Sequence, residues 1–315
     1  MQVLKSNLII FLTLLSCLAI KAQQEVVLDT SFIDTIGINV SHGFTAKDFI
    51  RMTKKDTSFY RAFKNLKLFP HISNSEVKIY DKNWVKIAKM NRTADHFSNG
   101  KIGWIKVIDE NTDGKFYNRK KEYKYFTAEM YDKVFFEKGR FRVSNNVDSA
   151  YAQKEVENRS KEEKYYEQLK TFMFSPGLGV EGVPFIGYKL NIFDGKMTKY
   201  YDYLLEKTMF RDSIPCYKFT VRIKDGVKKE KVVITNLTTF YDRRTMKVIA
   251  RSYALKQTTI MFSFDIQMFI LLGLQFDEYL PLEIKYNGAW DVPLKKPERI
   301  SFKMKSSNYK NINKL

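Results

Sequence analysis

From about residue 188 to the C-terminus, apolar and polar residues alternate with period two, the spacing of strands that bury one face. The clearest stretch is Tyr217, Phe219, Val221 and Ile223 with Lys218, Thr220 and Arg222 between them, then Asp225-Gly226, then the run from Lys231 to Tyr241. That pattern predicts a hairpin. Further strands are predicted at Met246 to Gln257, Thr259 to Ile270, Leu282 to Trp290 and Ile300 to Ser306. The rhythm gives seven or more strands after residue 188 and five between Phe63 and Val143. Turn dipeptides stand at Asn99-Gly100, Asp113-Gly114, Asp194-Gly195, Asp225-Gly226 and Asn287-Gly288, four of them between or beside strand-like runs.

Two segments read with helical spacing instead. Thr45-Ala-Lys-Asp48 has the form of a capping box, and Phe49, Ile50 and Thr53 follow, predicting a helix near residues 46–56. Ser160-Lys-Glu-Glu163 opens a second, near residues 160–174, with Tyr166, Leu169, Phe172 and Met173 on one face and Ser175-Pro176-Gly177 ending it. A long antiparallel meander accumulates twist and curls. The predicted fold class is therefore α+β: a strongly curved antiparallel sheet, a half barrel of nine or more strands, with two or more helices on its concave side. No linker rich in Pro, Gly or Ser divides the chain, so residues 23–315 are read as a single domain.

The first 22 residues change the picture of where this domain works. Lys5, an apolar run from Leu8 to Ile20 and Ala22 before Gln23-Gln24 have the form of a signal peptide. The run is shorter than the ~20 apolar residues of a membrane span. Leu14-Leu15-Ser16-Cys17 also resembles a lipobox, which would anchor the protein through a lipid on Cys17. Cleavage after Ala22 is favoured, because Leu18, Ala19 and Ile20 continue the apolar run past Cys17. Only Cys216 then survives, so no intrachain disulfide is possible, and it is expected as a small apolar strand residue.

The net charge is +19, and two of those charges, Lys5 and Lys21, leave with the leader. Export to the periplasm or outer envelope argues against nucleic acid as the partner. The cations are spread along strand-like runs, as on a solvated sheet face, with an anionic membrane surface or a surface polysaccharide as functional alternatives.

Catalytic signatures are sparse. Gly177-Leu-Gly179-Val-Glu-Gly182 matches G-x-G-x-x-G in letters, but a helix precedes it and Val183-Pro184 follows, the reverse of a dinucleotide site. It reads better as an apolar loop. His42, His71 and His96 are dispersed among polar, loop-like segments without paired ligand spacing, and no G-x-S-x-G elbow occurs. Nothing implies a cofactor or a metal. A carboxylate pair of the glycosidase kind is defined in space, so a hydrolase stays open as an alternative. The run Ile260 to Leu272 is the most apolar stretch after the leader and is expected as a buried strand.

Phe44-Thr-Ala-Lys-Asp-Phe49 with Ser58-Phe-Tyr-Arg61 resembles the start of secreted Bacteroidetes proteins of unknown function, in which a short helix leads into a strand. Cys216 to Ile223, Thr239 to Val248 and Leu280 to Asp291 are similar to the strand, turn and return strand of that group. Those proteins in turn resemble the outer-membrane lipoprotein carrier (LolA-like) fold. The resemblance implies a curved sheet closed by helices around an apolar cavity for acyl chains, and it transfers no contact residue.

The leading expectation is an exported, non-enzymatic protein that binds a lipid, a lipoprotein acyl chain or another apolar small molecule in the half barrel. Phe174, Leu178, Val180, Val183 and Phe185, in the loop from Ser175 to Gly187, are the candidate cavity cover. The rival is an interaction module with a filled core that docks an envelope protein or glycan.

Overall fold

The computed structural model describes residues 38–39, 45–147, 176–177, 187–259, 263–291 and 295–312. The predicted leader, Cys17 and the predicted helix near 160–174 lie outside the described residues, as does all but Pro176, Gly177 and Gly187 of the loop from Ser175 to Gly187.

The strands are β1 (Ile38–Asn39), β2 (His71–Tyr80), β3 (Lys86–Ser98), β4 (Ile102–Gly114), β5 (Arg140–Arg142), β6 (Tyr201–Phe210), β7 (Ile214–Ile223), β8 (Ile234–Asp242), β9 (Val248–Thr258), β10 (Ser263–Gln275), β11 (Glu278–Asp291) and β12 (Glu298–Ser307). They form one antiparallel sheet in the order β1-β6-β7-β8-β9-β10-β11-β12-β2-β3-β4-β5. From β6 to β12 the chain is an uninterrupted meander. Pairing of β12 with β2, Phe302 opposite Val77, then joins it to the meander of β2 to β5. The sheet is curved and unclosed, a half barrel with helices on its concave side.

The predicted hairpin is present, with Tyr217 opposite Tyr241, Phe219 opposite Thr239 and Val221 opposite Leu237. The run ending at Leu272 forms most of β10, where Phe264, Ile266, Met268, Ile270 and Leu272 are buried at alternate positions.

Helix α1 (Ala46–Lys55) starts where the sequence places it. The Thr45 hydroxyl accepts from the Asp48 amide at 3.3 Å, and the Asp48 carboxylate accepts from the Thr45 amide at 2.9 Å. Those hydrogen bonds, the Thr45 side chain first, hold the Asp48 carboxyl below its ordinary value.

Three expectations fail, each for a local reason. Ser58-Phe-Tyr-Arg61 is not a strand; it is the first turn of α2 (Ser58–Leu68). Asp56 accepts from the Ser58 amide at 2.9 Å and also from its hydroxyl, and Phe59, Ala62, Phe63 and Leu66 then fall on one buried face. Between Phe63 and Val143 there are four strands, not five, and the span also holds a helix that the rhythm did not place, α3 (Phe126–Phe135). The turn reading of Asn287-Gly288 fails while the predicted strand from Leu282 to Trp290 holds, since both lie in the interior of β11. Gly288 leaves room there for the Tyr286 side chain, since a Cβ would lie 2.3 Å from the Tyr286 hydroxyl, whose oxygen accepts a hydrogen bond from Trp290 Nε1 at 2.7 Å.

Candidate ligand-binding site

Three buried charges on the concave face fasten the helices to the sheet. On β9, Arg251 donates to Thr239 Oγ1 at 3.1 Å and to Asp56 at 3.4 Å, with its guanidinium 4.3 Å from the Phe59 ring. It thereby pins the junction of α1 and α2. On β3, Arg92 reaches Asp132 of α3 at 2.5 Å, Glu110 at 2.7 Å and the Tyr123 hydroxyl at 2.9 Å. On β12, Glu298 accepts from the Phe126 and Thr127 amides at 3.1 and 3.0 Å and from the Thr127 hydroxyl at 2.6 Å. It satisfies donors that a helix start leaves open, and burial still pushes its carboxyl upward.

Over β11, β12, β2 and β3 this face is filled. Tyr131 of α3 meets Phe302 at 5.0 Å and Tyr286 at 4.7 Å, and Phe135 meets Phe302 at 5.1 Å and Phe63 of α2 at 6.1 Å. Two histidines close the same region. His71 and His96 stand directly opposite on β2 and β3, their rings stacked at 4.1 Å, with Tyr309 against His71 at 4.7 Å. They are buried strand residues, not loop residues as the sequence implied. His71 donates Nδ1–H to the Phe69 carbonyl at 2.9 Å, and His96 Nε2 lies 2.8 Å from the Ser73 hydroxyl. Burial pushes the His71 pKa down to about 4, and burial, with the neighbouring cations, pushes His96 down as well.

Over β6, beside the short edge strand β1, the cover is thinner, while Phe219, Val221, Leu237 and Tyr241 on the inward face of β7 and β8 are buried. Along the inward positions of β6, Tyr201 is buried, Tyr203 and Leu205 are half-buried, and Met209 is 45 % exposed. Phe49 of α1 packs on Tyr217 at 5.3 Å, Tyr241 at 5.2 Å and Phe219 at 5.9 Å. Beside that contact, between α1 and the β8–β9 turn, a cleft of about 370 Å³ is lined by Met52, Tyr241 and Met246, by the cations Arg51, Lys55 and Lys247, and by Asp56 and Ser58. Apolar floor and cationic rim meet within one opening. Sequence reasoning missed this cleft because its lining comes from α1, the start of α2, β8 and the β8–β9 turn, and no motif links them.

A second cleft of about 550 Å³ opens among Leu68, Phe69, Val143 and Phe276, with Asp277, Glu278 and Asn145 at its edge. Its carboxylates are partly occupied, since Glu278 pairs with Arg61 and accepts from Asn65 at 3.1 Å.

The predicted cover residues Phe174, Leu178, Val180, Val183 and Phe185 lie outside the described residues. The start of their loop is described: Gly177 has φ +94° and is packed so closely that a Cβ would lie 2.8 Å from the Phe193 ring. Phe193 reaches Tyr203 at 6.2 Å and Phe219 at 6.4 Å, so the loop enters at the β6–β7 end of the concave face. Cys216 is a buried strand residue, as expected, and burial pushes its thiol up to about 11.

No family model matches the chain, and no curated protein matches it in sequence. Three solved structures are similar in outline. One is a DUF1329 family protein from Desulfovibrio piger, with 12 % identity over 84 % of this chain and 91 % of that one and a TM-score of 0.24. Another is a putative outer membrane lipoprotein-sorting protein domain from Vibrio parahaemolyticus, with 9 % identity over 84 % of this chain and 93 % of that one and a TM-score of 0.28. The third is lipovitellin, with 8 % identity over 77 % of this chain and 25 % of that one and a TM-score of 0.27. The fold itself stands on the strand order and register.

Proposed function

We propose that this is an exported, non-enzymatic protein that binds an acyl chain or another amphiphile on the concave face of its half barrel, at the β6–β8 end. The observation that carries the reading is the cleft beside α1, where Met52, Tyr241 and Met246 form an apolar floor within reach of Arg51, Lys55 and Lys247. Its volume, about 370 Å³, falls within the ordinary range for small-molecule sites. An apolar tail would gain ~25 cal/mol for each Å² taken out of water, and a carboxylate or phosphate head would face the three cations. Methionines suit such a floor because their unbranched side chains repack around tails of different shape. The loop from Ser175 to Gly187, entering against Phe193, would cover the bound tail through Leu178 and Phe185.

The test is titration with a fluorescent fatty acid. Wild-type protein should bind it, and the double variant Met52→Ser/Met246→Ser should bind about thirtyfold more weakly if each of the two lost contacts costs on the order of 1 kcal/mol. Leu178→Ser/Phe185→Ser should weaken uptake similarly if the cover acts on the same ligand. A wild-type protein that takes up no apolar probe ends this reading. The filled face over β2, β3, β11 and β12 then favours the rival, an interaction module that docks an envelope protein or glycan.

A further inference from the structure

The sheet face away from the helices is unlike the concave one. Across β12, β2 and β3, the outward positions at Arg299, Ser301, Lys303, Glu76, Lys78, Tyr80, Lys89 and Asn91 are half-buried or exposed. Four of them are cations and one, Glu76, is a carboxylate, which already pairs with Lys78 and Lys89 at 2.7 Å each. This grid ends at the β2–β3 turn, where large apolar side chains stand exposed beside the polar Asp81, Lys82 and Asn83. Trp84 is 43 %, Val85 59 % and Ile87 42 % exposed.

The tip is built rather than loose. Asp81 accepts from the Asn83 amide at 2.8 Å and the Val85 amide at 2.9 Å, and its own amide donates to the Val85 carbonyl at 3.0 Å. That clamp holds Trp84 at φ +61°, a conformation that a bulky side chain avoids unless its surroundings impose it. The Trp84 ring stays on the outer face, 5.6 Å from Tyr80 and 5.7 Å from the Arg299 guanidinium carbon.

We infer that the outer face of β12, β2 and β3, together with the Trp84-Val85-Ile87 tip, is a docking surface for an anionic lipid bilayer. A soluble polyanion would meet the cations but leave Val85 and Ile87 in water. A bilayer interface takes both, since anionic headgroups attract Lys and Arg while Trp and aliphatic side chains settle at the boundary of headgroups and acyl chains. Lys82 and Lys86 flank the tip at the level the headgroups would occupy, Lys86 paired with Asp113 at 3.2 Å. Docking in this pose leaves the helix-covered face, with the cleft beside α1, directed away from the membrane plane. The inference does not depend on that cleft holding a ligand.

Co-sedimentation of the mature protein with vesicles of one part phosphatidylglycerol to two parts phosphatidylcholine tests it, with pure phosphatidylcholine vesicles and soluble dextran sulfate as the other arms. Wild type should bind the mixed vesicles, bind neutral ones weakly, and lose affinity as salt is added. Trp84→Ser/Val85→Ser should lower vesicle affinity about tenfold while dextran sulfate binding is kept, and Lys78→Glu/Arg299→Glu should lower both. All four positions are at the surface, and an unchanged unfolding midpoint confirms that the variants fold. Wild-type protein that ignores the mixed vesicles overturns the inference. So does a tip variant that binds them as wild type does, which would make the face a general polyanion surface. Fatty-acid uptake without vesicle binding would sink this inference and leave the proposed function standing.

Discussion

The two ends of the concave face are built on opposite terms. Over β2, β3, β11 and β12, aromatic rings from α2 and α3 interlock with the sheet, Arg92 and Glu298 have their polar atoms held from several sides, and the two histidines stack on each other. Along β6 the inward side chains grade from buried Tyr201 to exposed Met209, while Phe219, Val221, Leu237 and Tyr241 of β7 and β8 are buried, and the cleft beside α1 carries Arg51, Lys55 and Lys247 together with Asp56 and Ser58. A buried ion pair whose partners are removed one at a time is costly, whereas half-covered apolar side chains are cheap to uncover. The first end is therefore suited to hold shape, the second to open and accept an occupant.

Breaking the sealed end should have the largest effect. Asp132→Ala leaves the Arg92 guanidinium buried with its shortest partner gone, and should cost about 3–5 kcal/mol in urea unfolding. A loss below ~1 kcal/mol would mean that the α3 anchor is not what holds this end.

Acid should act on the same end next. His71 titrates in the fold at about 4, below the ordinary histidine value near 6.5. As pH falls below that ordinary value, the unfolded chain binds protons that the folded chain refuses. Stability from His71 is thus full above about pH 6.5 and declines toward pH 4 by about 1.4 kcal/mol per unit, and His96 steepens the slope. Unfolding midpoints measured across that window should fall, and His71→Phe should flatten the decline. A wild-type midpoint independent of pH from 6.5 to 4 would contradict the buried, neutral pair.

The smallest effect belongs to the open end. Leu205→Ala, at a half-buried inward position of β6, should cost about 1 kcal/mol in stability. A loss as large as that of Asp132→Ala would erase the contrast between the ends.

How much of this was legible in the sequence follows from the range of each interaction. Alternation within β7 and β10, the hairpin at Asp225-Gly226 and the Thr45 capping box are local, and each is readable from a handful of neighbouring residues. Helix α2 was hidden because its first turn, Ser58-Phe-Tyr-Arg61, has strand-like aromatic content and its cap, Asp56, works through a side chain two residues upstream. The histidine pair was hidden because it depends on β2–β3 register, which sets residues 71 and 96 face to face. Gly288 read as a turn signal because glycine's other use, leaving room for the Tyr286 ring, is visible only in three dimensions. The cleft depends on α1 meeting the β8–β9 turn, a contact that no spacing within either segment encodes.

Hydrogen exchange with and without a saturating medium-chain fatty acid tests the central claim most directly, because it reads both ends of the same face in one experiment. The account predicts added protection confined to α1, the start of α2 and the β8–β9 turn with the adjoining end of β8, with β2, β3, β12 and α3 unchanged. Protection centred on α3 and β12, or none anywhere in a protein that binds the fatty acid, would contradict it.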